Sequence, residues 1–217
     1  MTNRRIHSFL ILLLIISPLF AAAGPLSQFS LGSGTNHIVA TIYRPGQASG
    51  GTEVLSFRSS ADGKLLWTMN SEGFEKPVLF SYHGENFVLV STTPAGSGGF
   101  VSDTVFWIAP DATMHEIDFE DAAGAYEKNV DAQEMVLAGG SGVNCTGGRL
   151  TFEFYIANDG DPHCCPTAGK VTGNYEIVGK PKFNPLTKHF SSTFRMVATQ
   201  YSRTPIFSSE MTASLAR

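Results

Sequence analysis

The sequence predicts an all-β protein, built as a single antiparallel β-sandwich or a partly closed barrel with one short helix near residues 120–130. Three observations lead to this prediction. Short runs rich in Val, Ile, Phe, Tyr and Thr recur along the chain, and these residue types favour strands. Gly, Pro, Asp and Asn interrupt the runs about every 8 to 12 residues, as in antiparallel β proteins. Only residues 120–130 have a helix-like composition.

The N-terminus has the layout of a secretory signal peptide. Arg4 and Arg5 precede the apolar run 9–16, and three alanines at 21–23 supply a small-residue cleavage site. The apolar run is shorter than the roughly 18 residues that a spanning helix needs. We therefore expect residues 1–23 to be removed, leaving a periplasmic or secreted protein without a membrane span.

The rest of the chain is long enough for one domain with its own core. We assign residues 24–36 to an N-terminal linker, 37–201 to a single β-rich domain and 202–217 to a loose C-terminal tail. After removal of the leader, 13 Lys and Arg remain against 19 Asp and Glu, without a basic cluster. This charge balance argues against nucleic-acid binding, and the sequence identifies no other partner.

Strands in the first half follow one another through short connections. Asp62-Gly63 and His83-Gly84 each suit a hairpin turn, as does the connection 110–112. The run 103–109 is apolar on both faces, which indicates a central strand covered on each side. The predicted strands are 37–43, 52–58, 64–69, 78–82, 86–92, 103–109 and 113–119.

The second half contains the clearest strand, at residues 149–157. Leu150, Phe152, Phe154 and Ile156 alternate with Thr151, Glu153 and Tyr155, so one face is expected to be core and the other polar. A glycine-rich loop is predicted at 139–148. Further strands are predicted at 134–138, 171–178 and 190–200.

The segment NDGDPHCCP, residues 158–166, follows that strand and is the candidate binding loop. Its candidate residues are Asp159, Asp161, His163, Cys164 and Cys165. Asn158 to Asp161 partly resemble a calcium loop, but the acidic ligand expected downstream is missing before Glu176. A turn at the strand end is the better interpretation of the Asn-Asp-Gly sequence.

A metal site is a second interpretation of the same loop. His163, Cys164 and Cys165 offer the imidazole and thiolate donors that suit Zn²⁺ or Cu(I). Structural zinc sites, however, usually separate their cysteines by two to four residues. Because Cys164 and Cys165 are adjacent, their side chains converge poorly on one tetrahedral ion. Redox chemistry of the thioredoxin type also requires two intervening residues.

The three cysteines cannot all pair within one chain. A strand over 149–157 spans about 30 Å and separates Cys145 from Cys164 and Cys165, whereas a disulfide needs Cα atoms within about 7 Å. A bond between the two neighbours would be strained, since adjacent Cα atoms are about 3.8 Å apart. We favour a rigid turn at 162–166, oxidised or reduced, over pairing of Cys145. Both arrangements stay open.

The hexapeptide D-P-H-C-C-P, residues 161–166, lies between two predicted strands that contain aromatic residues. It resembles a motif of uncharacterised exported bacterial proteins such as the LppP/LprE-like lipoproteins, and the resemblance covers about residues 149–180. The chain departs from lipoproteins because no cysteine follows its leader. The resemblance implies export and brings no catalytic residues.

These observations predict an exported β-rich binding or structural protein. The first alternative is a small periplasmic metal-binding protein that uses His163, Cys164 and Cys165 to hold Zn or Cu. The second is an enzyme whose active-site residues are dispersed in the sequence and converge on folding. No cofactor and no catalytic residue follows from the sequence.

Overall fold

The computed structural model describes residues 25–32, 37–45, 52–92, 102–137, 142–161 and 166–206. Within these residues the protein is all-β, as predicted, with one short helix α1 (Ala122–Tyr126) that continues into a 3-10 turn (Glu127–Asn129). The strands are β1 (Ser27–Leu31), β2 (Ile38–Tyr43), β3 (Glu53–Ser59), β4 (Leu65–Ser71), β5 (Val78–Tyr82), β6 (Glu85–Thr92), β7 (Ser102–Ile108), β8 (Met114–Glu116), β9 (Asp118–Phe119), β10 (Glu134–Leu137), β11 (Asn144–Thr146), β12 (Arg149–Asn158), β13 (Gly169–Val178), β14 (Pro181–Asn184), β15 (His189–Ser192) and β16 (Arg195–Thr204).

The described strands form three main sheets and one separate hairpin. The first sheet has the order β1-β2-β3-β4, and the middle sheet has the order β5-β6-β7-β8. The third sheet has the order β10-β12-β13-β16-β9, with β11 paired to β12. Pairing is antiparallel except between β16 and β9, and β14 and β15 pair only with each other.

The middle sheet is buried on both faces. In β6 the consecutive residues 87–90 are all buried, and so are residues 105–107 of β7. Because side chains alternate along a strand, Phe87, Leu89, Val105 and Trp107 face the third sheet. Residues 88, 90 and 106 face the first sheet. The predicted central strand at 103–109 is thereby confirmed.

Aromatic contacts join the layers across each face of the middle sheet. Phe106 lies 4.5 Å from Trp67 and 6.2 Å from Phe57 of the first sheet, measured between ring centroids. On the opposite face, the Trp107 ring lies 5.4 Å from Phe194, which precedes β16. Offset and edge-on ring pairs of this kind add to the hydrophobic gain from burial. The architecture is therefore a three-layer stack of sheets.

The predicted hairpin turns are confirmed by the backbone. Gly63 has φ +68° in the β3–β4 connection, His83 and Gly84 have φ +48° and +84° between β5 and β6, and Ala112 has φ +62° between β7 and β8. Positive φ at these positions reverses the chain with the twist that antiparallel strands require. In β12 the buried residues Leu150, Phe152, Phe154 and Ile156 alternate with half-buried ones, as predicted.

Several predicted boundaries were wrong. β1 lies inside the range 24–36 assigned to a linker. All five of its residues pair with β2. β16 continues to Thr204, into the range 202–217 assigned to a tail. β11 falls within the predicted glycine-rich loop. β14 was missed because most side chains of the β14–β15 hairpin are exposed and lack the apolar alternation of a core strand. The predicted strand 190–200 is divided between β15 and β16.

Some predictions concern residues outside the described ranges. The leader at 1–23 is among them, as is the end of the chain beyond residue 206. In the part of the chain that the structure describes, no helix has the length and apolar character needed to cross a bilayer. The assignment of residues 37–201 to a single domain stays a prediction.

Candidate functional site

The described part of the candidate binding loop is closed by Asp161. One carboxylate oxygen, Oδ2, accepts hydrogen bonds from the backbone N–H groups of Asn158 and Thr167, each at 2.8 Å. The hydroxyl of Thr167 also donates to this carboxylate at 2.8 Å. Asp161 therefore joins the end of β12 to the segment leading into β13.

These hydrogen bonds lower the pKa of Asp161, with the Asn158 N–H as the largest cause and the Thr167 hydroxyl next. Asp159 contributes through its backbone, whose N–H donates to the Gln133 carbonyl at 2.6 Å. Gly160 has φ +91°, which confirms the predicted turn at the strand end. The geometry assigns Asp161 to loop closure.

A second set of contacts fixes the same end of the third sheet. The Arg203 guanidinium on β16 donates to both carboxylate oxygens of Glu134 on β10, at 3.0 and 2.6 Å. It also donates to the Ala168 carbonyl at 2.9 Å. This bidentate pair is geometrically specific and lowers the pKa of Glu134. The loop is thus attached to a firmly held sheet end.

His163, Cys164 and Cys165 lie outside the described residues, so the zinc or copper site stays a prediction. Among the described residues, no group of three His, Cys, Asp or Glu side chains is arranged to hold a metal ion. The rigid turn at 162–166, oxidised or reduced, likewise stays a prediction.

Cys145 lies at the other end of β12. It pairs with Leu150 across the β11–β12 hairpin, whereas the candidate loop begins at Asn158, at the opposite end of β12. Within the described chain its thiol is free and half-buried, and burial raises the pKa of this thiol. The extended strand on which the predicted separation of the cysteines depends is confirmed over Arg149–Asn158.

The third sheet carries a groove on the face opposite its core. The groove has a volume of about 610 Å³ and opens to solvent. Strands β11, β12, β13 and β16 supply most of its walls, mainly as hydroxyl and amide side chains. The lining residues are Gly142, Asn144, Thr151, Phe152, Glu153, Thr172, Gly173, Asn174, Gln200 and Ser202.

A β-bulge shapes this polar groove. Thr172 pairs with Ser202 and Asn174 pairs with Thr199, so two residues of β16 oppose the single residue Gly173 of β13. Such a two-against-one arrangement is a β-bulge, which re-aims side chains. Gln200 occupies the bulge with φ +54°, a region that non-glycine residues rarely adopt.

The bulge places two amides side by side. The Asn174 side-chain N–H donates to the Gln200 side-chain oxygen at 2.6 Å. The Thr199 hydroxyl donates to the backbone carbonyl of Asn174 at 3.2 Å. Each amide has two donor hydrogens and an oxygen with two lone pairs. The Asn174–Gln200 pair therefore retains hydrogen-bonding capacity toward a ligand after its internal bond is made.

The carboxylate of the polar groove is balanced by a neighbouring cation. Glu153 on β12 lies 3.0 Å from the Lys170 ammonium on β13 and accepts a hydrogen bond from the Tyr155 hydroxyl at 3.3 Å. Among the described residues that line the groove, Glu153 is the one ionisable side chain. Its pairing leaves the groove with little net charge.

The floor of the polar groove is thin where β12 meets β13. Phe152 pairs with Gly173, and a Cβ on Gly173 would lie 2.3 Å from the Phe152 ring. Only glycine lets the ring pack against the neighbouring strand in this way, an arrangement in which an aromatic side chain covers a cross-strand glycine. Phe152 also packs against Tyr175 and Tyr201, at 4.9 and 5.2 Å between ring centroids.

Sequence reasoning found part of this site. The alternation in β12 predicted that Thr151 and Glu153 share a polar face, which the groove confirms. Asn174 and Gln200 were not predicted as site residues, because their proximity depends on the pairing of β13 with β16. A polar residue at the end of a strand pattern, such as Gln200, is too common a feature to have identified them.

Comparison with known proteins found no match for this chain among protein-family models, curated proteins or solved structures. The resemblance of the D-P-H-C-C-P motif to exported bacterial proteins therefore stays a prediction.

Proposed function

We propose that the protein is an exported binding protein whose polar groove takes a neutral, hydroxyl-rich small molecule of the size of a mono- or disaccharide. The observation that carries this proposal is the amide pair of Asn174 and Gln200, held on the outer face of the third sheet by a bulge. A non-glycine residue at positive φ costs of order 1–3 kcal/mol. Such backbone outliers cluster at functional sites.

The chemistry of the lining supports a neutral ligand. Sugar hydroxyls both donate and accept hydrogen bonds, as do the amides and hydroxyls of the groove. A charged ligand would need an opposite charge, and the Glu153 carboxylate is already paired with Lys170. The groove volume of about 610 Å³ falls within the range of small-molecule sites.

The same lining favours binding over acid–base catalysis. Hydrolysis of a glycosidic bond usually requires two carboxyl groups on either side of the bond. In the described part of the groove, Glu153 provides one. Rigid strands rather than loops supply the Asn174 and Gln200 side chains, which suits a preorganised binding site.

Saturation-transfer NMR tests this proposal directly. The probes are cellobiose, maltose and N,N′-diacetylchitobiose, with glucuronic acid as a charged comparison. We expect transfer to at least one neutral sugar, and a loss of about tenfold in affinity in the double variant Asn174→Ala with Gln200→Ala, since a lost hydrogen-bonding pair is worth about 1–1.5 kcal/mol.

Asn70→Ala is the matched control, because Asn70 is an exposed amide on β4 of the first sheet. It should leave sugar binding unchanged. The proposal fails if no neutral sugar receives saturation, or if Asn70→Ala weakens binding as much as the groove variant does.

A further inference from the structure

The β14–β15 hairpin and its loop 185–188, here called the basic hairpin, present large apolar side chains to solvent. Leu186 at the tip is 92% exposed and Phe183 on β14 is 51% exposed. Soluble proteins show single exposed apolar residues often, so exposure alone decides nothing. The conformation and surroundings of the hairpin carry the argument.

The tip is held in a defined shape. The Asn184 side-chain oxygen accepts from the N–H groups of Leu186 and Thr187, at 3.0 and 3.4 Å. The Lys188 N–H donates to the Asn184 carbonyl at 2.8 Å, with Lys188 at φ +57°. The loop therefore projects Leu186 outward by its backbone geometry.

The base of the basic hairpin is attached to the body of the protein. A Cβ on Gly179 would lie 2.2 Å from the Thr193 carbonyl oxygen. The two segments that connect the hairpin to the third sheet are therefore in close contact. The Phe190 ring lies 6.3 Å from Trp107 of the middle sheet and 4.9 Å from Phe183. A continuous series of rings thus runs from the core to the exposed end.

Charge on this part of the chain is of one sign. Residues 177–206 contain five of the 15 Lys and Arg and no Asp or Glu, although the whole chain has a net charge of −4. Lys180, Lys182 and Lys188 belong to the hairpin region and are exposed. Asp111 contacts the hairpin at its base, where its carboxylate accepts a hydrogen bond from the Phe190 backbone N–H.

We propose that the basic hairpin docks the protein on an anionic phospholipid surface. Leu186 and Phe183 would enter the boundary between headgroups and acyl chains, while Lys182 and Lys188 pair with lipid phosphates. Apolar insertion combined with basic side chains is the combination that gives stable attachment to such a surface. This inference does not depend on the proposed sugar groove.

The shape of the hairpin favours a lipid over a protein partner. A specific protein interface buries about 800 Å² on each side, and a narrow two-stranded projection with two apolar side chains at its end offers much less. A bilayer closes around a projecting side chain without needing a matching pocket. Lysine stems also reach from an apolar surface to the phosphates.

The test uses the full chain on vesicles of phosphatidylcholine and phosphatidylglycerol with brominated acyl chains, which quench tryptophan on contact. The variant Leu186→Trp places a reporter at the tip. Leu65→Trp is the matched control, because Leu65 is also exposed, at 45%, but lies on β4 of the first sheet. All variants carry the same N-terminal segment, so differences between them belong to the substituted positions.

We expect at least twofold stronger quenching of Leu186→Trp than of Leu65→Trp on anionic vesicles, and little difference on neutral ones. Adding Lys182→Gln and Lys188→Gln to Leu186→Trp should weaken the lipid contact roughly fivefold per lysine. Lys64→Gln, the control, should change nothing. Raising the salt concentration should also weaken the contact by screening.

Equal quenching at positions 186 and 65 would overturn the proposal. So would quenching of Leu186→Trp that is the same on anionic and neutral vesicles, or the same with and without the Lys182→Gln and Lys188→Gln substitutions. Sedimentation velocity without lipid identifies the other occupant. A concentration-dependent dimer that disappears in Leu186→Ser would show that the hairpin docks on a second copy of the chain instead. A monomer that inserts only its tip into anionic vesicles supports the proposal.

Discussion

The middle sheet and the third sheet are built from similar strands but bury different numbers of faces. In β6 five consecutive residues are buried, whereas in β12 buried and half-buried residues alternate. The middle sheet lies between the first and third sheets, which cover its two faces. The third sheet keeps a polar outer face, and the groove lies there. Of these two sheets, therefore, the third is the one whose strands leave a broad face open to solvent.

The largest expected effect lies in the middle sheet. Phe106→Ala should reduce the free energy of unfolding by about 3–5 kcal/mol, because the ring is fully buried between the first and middle sheets and leaves a cavity. Denaturant unfolding of the purified protein measures this loss. A loss below about 1 kcal/mol would mean that the two sheets do not form one packed core.

A matched pair of substitutions compares the two sheets with almost no change in side-chain shape. Val88→Thr places a hydroxyl in a fully buried position of β6 and should cost about 1–3 kcal/mol, because the hydroxyl is removed from water. Thr172→Val on the outer face of β13 should change stability by less than about 0.5 kcal/mol. Equal effects in thermal unfolding would contradict the assignment of one covered and one uncovered layer.

The smallest effect is expected at the end of the third sheet, where Asp161 closes the β12–β13 loop. Hydrogen bonds from Asn158 and Thr167 lower its pKa below the ordinary value of 3.8. Because the pKa is lowered, the Asp161 carboxylate stabilises the folded state fully at pH values above the ordinary pKa. This contribution is lost as the pH falls through the lower pKa of the folded state.

Asp161→Asn should therefore reduce the dependence of the melting temperature on pH in the acidic range, with a modest loss at neutral pH. Asp159→Asn serves as the control, because the contact of Asp159 with Gln133 uses its backbone N–H. If the two variants show the same acid dependence as the unsubstituted protein, the carboxylate of Asp161 does not close the loop.

The fold could be predicted where the spacing of apolar residues along a strand indicates whether one or both faces of that strand are buried. The apolar run in β7 and the alternation in β12 both translate directly into burial. The β14–β15 hairpin could not be found in this way, since its residues contact solvent on most sides. Its ring contact with Trp107 depends on tertiary packing that no local pattern encodes.

The candidate site was predicted less well than the fold. Asp161 was named as a candidate binding residue, a role that stays a prediction, and the structure shows its carboxylate joining the two ends of the loop. The groove is assembled from residues near 144–153, 172–174 and 200–202, and their proximity follows from strand order rather than from sequence distance. The bulge adds a second obstacle, because an inserted residue breaks the alternation on which a prediction of faces relies.

The bulge at Gln200 lets one strand change its phase between its two halves. Before it, Met196 and Ala198 point inward at even positions, and after it Tyr201 packs on Phe152 at an odd position. The number of residues in β16 is thus as important as their identity. Loss of Gln200 would restore one-to-one pairing with β13 and remove the amide pair, whereas loss of a residue elsewhere in β16 would turn the side chains beyond it to the opposite face.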